Sequence, residues 1–171
     1  KAGQVVAVEG YMDVIALHQA GIETAVAPLG TAMTEEQLAL LWRLAPEPTL
    51  CFDGDTAGQR AAQRAAERAL PLLKPGHSLR FATLPPGEDP DSLVRNQGPA
   101  AMRAVLDAAR PLRDVLLAAE AAAQSFDTPE RRAGLRLRLR QLAGRIEDRD
   151  TQAEYQAEFQ RVCDRAFGAG A

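Results

Sequence analysis

Thr49-Leu-Cys-Phe-Asp53-Gly54-Asp55-Thr56-Ala57-Gly58 is the stretch whose reading decides the fold. A short apolar run ends in two carboxylates with a glycine between them, and strong helix formers follow. That pattern is a strand passing directly into a helix. In an open α/β sheet, ligands gather at the carboxyl ends of the strands, so Asp53 and Asp55 lie where such a fold keeps its chemistry. Side chains two apart on a strand point the same way. Two like charges held that close repel, and one takes up a proton unless a cation intervenes. A site made only of carboxylates suits a hard divalent cation, Mg or Mn. The same residues also read as an Asp-Gly turn, with Asp55 capping the next helix.

The flanking sequence repeats the strand–helix theme. Upstream, Gln4-Val-Val-Ala-Val8 is nearly all apolar, as in a strand buried on both faces of a parallel sheet. Glu9-Gly10 ends it, and a helix over Tyr11 to Ala20 closes at Gly21. Asp13 falls in that helix's first turn. It reads either as a further ligand or as a charge favourable to the helix amino terminus. Thr24 to Ala27 is a second strand. The Pro28-Leu-Gly30-Thr31 turn after it is small enough for a backbone to approach a phosphate, or is an ordinary turn. Thr34, with Gln37 three residues on, is a capping-box start for the next helix.

Downstream, a helix from about Thr56 to Leu73 carries Arg60, Arg64 and Arg68 at four-residue spacing, a solvated ridge or one facing a polyanion. Ser78 to Ala82 is a fourth strand. The Leu84-to-Leu93 loop after it holds Asp89-Pro90-Asp91, with Asp89 placed to cap a helix that Pro90 begins. Glu9, Asp53, Asp55, Asp89 and Asp91 thus fall at strand ends on one sheet edge, a cluster hard to hold without divalent cations.

After Gly98-Pro99 the pattern changes, and no strand signal remains. Helices are expected over Ala100 to Ala109, Leu112 to Gln124, Thr128 toward Ile146, and Thr151 to Phe167. Arg132, Arg136 and Arg140 form a ridge, read as a nucleic-acid contact or, more simply, as a solvated face with acidic partners. The expectation is an α/β unit over residues 1–98, a mostly parallel sheet with helices on both faces, followed by a small all-α bundle over residues 99–171.

Composition narrows the function classes. With 171 residues, 46% hydrophobic and 25% charged, this is an ordinary globular chain with room for a sizeable core. Its net charge of −3 argues against a strongly basic nucleic-acid clamp. The first 99 residues hold eight Lys and Arg against twelve Asp and Glu, so the acidity lies with the candidate site. No apolar run is long enough to span a bilayer, and no signal-peptide pattern opens the chain; no membrane partner is expected. Cys51 and Cys163 are too far apart in sequence to form a metal-spaced pair, and a reducing cytoplasm is the simplest setting. The chain opens on Lys1 and enters a strand almost at once, as a piece of something longer would.

Taken together, Glu9-Gly10-Tyr11-Met12-Asp13, Gly30-Thr31-Ala32, Asp53-Gly54-Asp55-Thr56-Ala57-Gly58 and Asp89-Pro90-Asp91 resemble the Toprim domain, in the version carried by bacterial DnaG-type replicative primases. The resemblance covers about the first hundred residues strongly. The helical remainder looks like the carboxyl-terminal subdomain of the primase polymerase core, without a motif to test it.

The resemblance implies that Glu9, Asp53 and Asp55 bind two or more catalytic Mg2+ or Mn2+ ions, with Asp89, Asp91 and more weakly Asp13 completing the site. It implies synthesis of an RNA primer on a single-stranded DNA template from ribonucleoside triphosphates, in the bacterial cytoplasm at the replication machinery. Gly30, Thr31 and Arg60 are the candidates for nucleotide or DNA contact. A zinc-binding domain, a basic amino-terminal subdomain and the domain that meets the replicative helicase fall outside these residues, and no zinc site is expected within them. Residues 1–171 alone should therefore bind metal but make primer poorly or not at all. The competing readings are another Toprim enzyme, a topoisomerase or OLD-type nuclease, or a non-catalytic Toprim module that binds DNA. A topoisomerase needs a nucleophilic tyrosine, and only Tyr11 and Tyr155 are present.

Overall fold

A computed structural model describes residues 4–28 and 32–168. Five strands form one sheet: β1 (Val6–Ala7), β2 (Ala25–Val26), β3 (Thr49–Gly54), β4 (Arg80–Pro86) and β5 (Arg110–Pro111), in the order β2-β1-β3-β4-β5. The first four run parallel, and β5 adds antiparallel to β4. The helices are α1 (Tyr11–Gln19), α2 (Glu35–Leu44), α3 (Thr56–Ala69), α4 (Pro90–Gln97), α5 (Pro99–Asp107), α6 (Leu112–Ala123), α7 (Pro129–Gly144) and α8 (Arg149–Phe167).

Strand alternation divides the apolar residues between two cores. Ala7, Leu50, Phe52 and Phe81 face one side of the sheet, which α2, α3 and α6 cover, with α7 and α8 behind. Val6, Val8, Cys51, Ala82 and Leu84 face the other, under α1, α4 and α5. The expected mostly parallel sheet with helices on both faces is therefore what these residues build. Cys51 is buried in the central strand, and burial pushes its thiol up to about 12, so it acts as a small apolar residue.

Three local expectations change. β1 and β2 are shorter than the apolar runs around them, although Val6 N–H donates to the Thr24 carbonyl (3.1 Å) and Val8 N–H to that of Val26 (2.9 Å), which extends the pairing. β4 continues through Leu84-Pro85-Pro86, residues read as loop; prolines lack the N–H of an interior strand, but β5 pairs only with Arg80 and Phe81 and leaves that edge open. Finally, the region after residue 99 does contribute a strand. Arg110-Pro111 carries no β signal; it is held because the Arg80 guanidinium donates to the Ala109 carbonyl (2.6 Å) and Leu112 N–H to the Leu79 carbonyl (3.1 Å).

The helix starts follow the sequence chemistry. Thr34 caps α2 in a full capping box with Gln37, Asp89 caps α4 with Pro90 in the first turn, and Thr128 caps α7. Pro71 turns the end of α3 into a 3-10 turn over Leu70–Leu72. Among the described residues no helix is long and apolar enough to cross a membrane.

Four of the α7 arginines are engaged internally. Arg131 pairs with Asp127 (2.6 Å), Arg136 with Asp164 (3.0 Å) and Arg138 with Glu120 (2.6 Å). Arg132 donates to the Phe126 carbonyl and lies over the Phe167 ring. Of the expected ridge, Arg136 has an acidic partner and Arg132 a carbonyl and a ring, whereas Arg140 is exposed with no hydrogen bond or ion pair among the described residues.

Candidate active site

β1, β3 and β4 all end at one edge of the sheet, and the turns that follow carry the acidic residues. Asp53 lies within β3, flanked by the buried Phe52 and by Gly54. The register between β3 and β4 shifts between Phe52 and Gly54, so the strand bends where the carboxylates begin. Gly54 N–H donates to the Glu88 carbonyl (3.3 Å), and a Cβ on Gly54 would overlap the carbonyl oxygens of Leu84 and Pro85. A Cβ on Gly58 would likewise overlap the Asp53 carbonyl oxygen. Both motif glycines are thus set by backbone approach: they let α3 and the end of β4 close on Asp53.

Asp55 caps α3, accepting from Gly58 N–H (2.6 Å), and Asp89 caps α4, accepting from Ser92 N–H (2.7 Å). Ser92 Oγ donates to the Glu88 carboxylate and ties the turn after β4 together. Asp13 in α1 accepts from Asp91 N–H (3.3 Å), which links the turn after β1 to that after β4. The Asp91 carboxylate itself faces Arg95 (3.6 Å).

The electrostatics show which carboxylates sense one another. Although the Glu9 residue is largely exposed, partial desolvation of its carboxyl, together with the charge and hydrogen bond of Asp53 and the charges of Asp55 and Asp13, raises it to about 7. Desolvation also raises Asp53, with the charges of Asp89 and Asp55 adding to it, while the hydrogen bond from Glu9 opposes. Asp13 is raised by desolvation, with the charges of Asp89 and Asp53 behind it. The hydrogen bond the two share acts in opposite directions, raising Glu9 and lowering Asp53. Glu9, Asp13, Asp53, Asp55 and Asp89 therefore converge. Asp91 joins through its backbone. Gly30 and Thr31 lie outside the described residues.

The convergence bears on whether these residues fit a metal. Their donors are all carboxylate oxygens, the set that hard divalent ions prefer, and the upward shifts of Glu9, Asp53 and Asp13 mark crowded negative charge in want of a cation. Among the described residues no three His, Cys, Asp or Glu side chains already surround one point. The chemistry of the donors fits, although their side chains are not gathered around one point.

A cleft of about 400 Å³ opens beside them, lined by Glu9, Asp53 and Asp55 and by α3 residues including Arg64 and Arg68. Arg60, the candidate from the sequence, does not line it. Spacing alone put all three arginines on one ridge. Knowledge of which face of α3 rests on the sheet separates them.

Raised carboxyls give the metal-free protein a definite pH response. A group whose folded pKa exceeds its unfolded value stabilises the fold below the unfolded pKa and loses that contribution as pH climbs through the folded one. For Glu9 the window runs from its ordinary 4.5 to about 7. The thermal midpoint of the metal-free protein is expected to fall across that window, and Glu9→Gln to flatten the slope. A midpoint that rises from pH 4.5 to 7 at this step, unchanged by the substitution, would contradict the assignment.

Residues 3–83 match the family model of the Toprim domain. A DNA primase of Rickettsia felis is 40% identical over 159 residues, which is 93% of this chain and 27% of that protein. Among solved structures, a DnaG catalytic core aligns over the whole chain and 56% of its own length, at 38% identity and a TM-score of 0.87. A DnaG primase catalytic domain bound to single-stranded DNA aligns over 93% of this chain and 50% of its own, at 40% identity and a TM-score of 0.85. The chain spans about a quarter of that curated relative and about half of the solved cores.

Proposed function

We propose, from the Toprim-domain match over residues 3–83 and the likeness to DNA primases and DnaG catalytic cores, that this chain carries the metal-binding and nucleotidyl-transfer site of a primase that builds RNA primers on single-stranded DNA. The observation that carries the reading is the convergence of Glu9, Asp13, Asp53, Asp55 and Asp89 at one strand edge, beside a cleft that two α3 arginines also line. Residues 1–98 form the Toprim unit of this reading and residues 99–171 its helical support.

Glu9, Asp53 and Asp55 would hold the divalent ions, with Asp13, Asp89 and Asp91 around them. Bound there, Mg2+ or Mn2+ would lower the cost of ionising an attacking hydroxyl and neutralise charge on the reacting phosphate. The rest of the work is positioning. Asp53 is fixed by the central strand and the closely approaching Gly54 and Gly58. Asp55 and Asp89 are fixed by their caps. Glu9, whose carboxyl is raised to about 7 by desolvation and its acidic neighbours, would have to be ionised to hold a cation. The reaction joins the 3′-hydroxyl of one ribonucleotide to the α-phosphate of the next, with pyrophosphate leaving. The single-stranded template, the ribonucleoside triphosphates and a replicative helicase are partners of the whole protein in this reading.

The test is primer synthesis by the full protein on single-stranded DNA with labelled ribonucleoside triphosphates. Short RNA products that vanish on chelation by EDTA and return with Mg2+ or Mn2+ are expected. Products unaffected by chelation, or strand cleavage in place of synthesis, would overturn it.

A further inference from the structure

The α3 wall of the cleft has a composition of its own. Ala57, Ala61, Arg64, Ala65 and Arg68 line it, residues that recur at three- and four-residue spacing and so share one helix face. The alanines keep the wall hollow, and the arginines supply its only cations among the described lining residues. The two differ in what they already do. Arg68 Nη1 donates to the Met33 carbonyl (2.6 Å) and braces the segment leading into α2. Arg64 is exposed and has no hydrogen bond or ion pair among the described residues. An unpaired guanidinium thus borders the same cleft as a cluster of carboxylates that would otherwise repel any anionic substrate.

We infer that Arg64 is a positioning residue for the triphosphate tail of the incoming nucleotide, with the Arg68 side chain serving as the brace that shapes the wall beside it. The inference rests on the nucleotidyl-transfer reading above. Guanidinium groups meet phosphate oxygens with paired, charge-assisted hydrogen bonds that an ammonium cannot reproduce. Arg64 follows the Asp55 cap by nine residues, an offset of about 13 Å along the helix, and helical side chains lean back toward the amino terminus. The cation therefore stands off the carboxylates on the side of the cleft that a tail anchored there by its first phosphate would occupy. The walls favour a tail over a template backbone: α3 lies on one side and Pro28, Ala32 and Met33 also line the cleft, whereas a continuous strand needs an open, cation-lined groove.

The experiment compares the full protein with its Arg64→Ala, Arg64→Lys and Arg60→Ala variants. Arg64→Ala is expected to raise KM for the ribonucleoside triphosphate about tenfold, the loss of one charge-assisted contact, with KM for the template and Mn2+ affinity unmoved. Arg64→Lys recovers part of the loss. Affinity for inorganic tripolyphosphate in the presence of Mn2+, read by calorimetry, weakens by a similar factor. A rise in KM for template alone would assign the guanidinium to the DNA backbone and overturn the inference. So would an equal effect of Arg60→Ala, or no effect on either substrate. If the unaltered protein makes no primer, the proposed function fails, while the tripolyphosphate arm still decides for or against Arg64.

Discussion

Exchanging Asp53 and Asp55 together for Asn lowers primer synthesis by the full protein by on the order of a thousandfold or more, the several kcal/mol that metal-held charge contributes to such a transfer. Mn2+ affinity falls with it. The same change leaves the fold intact, and that combination makes the result diagnostic. Asn caps a helix about as well as Asp, so the contact of residue 55 with Gly58 N–H persists. Asp53 is a carboxylate whose charged form the fold disfavours, through desolvation and the charges of Asp89 and Asp55. A neutral isostere relieves that repulsion, so the thermal midpoint of the metal-free protein stays level or rises at neutral pH. Activity lost without stability lost is what a functional carboxylate pair predicts. Unchanged primer yield would favour a Toprim scaffold that binds DNA without catalysis. Unfolding of the variant would show that the pair serves the structure.

Gly54→Ala has the opposite signature. The added methyl would overlap the Leu84 and Pro85 carbonyl oxygens where β4 closes on β3. These atoms belong to backbone, so no side chain can swing aside, and β3 and β4 must separate. Overpacking of this kind costs about 3 kcal/mol. Urea unfolding is expected to show that loss as a lower midpoint with unchanged slope. Because the same closure fixes Asp53 and Asp55, Mn2+ affinity falls as well. A variant of full stability would mean that the strands do not approach as closely as described.

Much of this architecture was legible in local chemistry. The Asp-Gly-Asp stretch reads as a strand end because an apolar run stops at two carboxylates, and Thr34 with Gln37 and Asp89 with Pro90 announce helix starts through caps that need only their own neighbours. What stayed hidden depends on contacts distant in sequence. β5 is two residues with no β propensity, held by a guanidinium thirty residues earlier in β4. Pro85 and Pro86 read as loop until the open edge of β4 explains why they are tolerated. Within the candidate site, the strand-end logic brings Glu9, Asp53, Asp55 and Asp89 together, with Asp13 beside them. The carboxylate of Asp91 instead turns to Arg95, an i,i+4 pairing its own helix provides. Four-residue spacing could not distinguish Arg60 from Arg64, because only the seat of α3 on the sheet decides which arginine reaches the cleft.

Tyrosine placement bears on the competing enzymes. Tyr155 is half-buried in an edge-on contact with Phe159, and burial pushes its hydroxyl up to about 12, which suits a core residue rather than a nucleophile. Tyr11 is 73% exposed at the start of α1, within the same turn as the acidic site.

The most direct test of the central claim is an anomalous difference map from a crystal of this protein soaked in manganese. Peaks among Glu9, Asp53, Asp55 and Asp89, with two of them about 4 Å apart, are the predicted result. A map with no peak at that strand edge, from crystals soaked at a pH well above 7, where Glu9 is ionised, would contradict it.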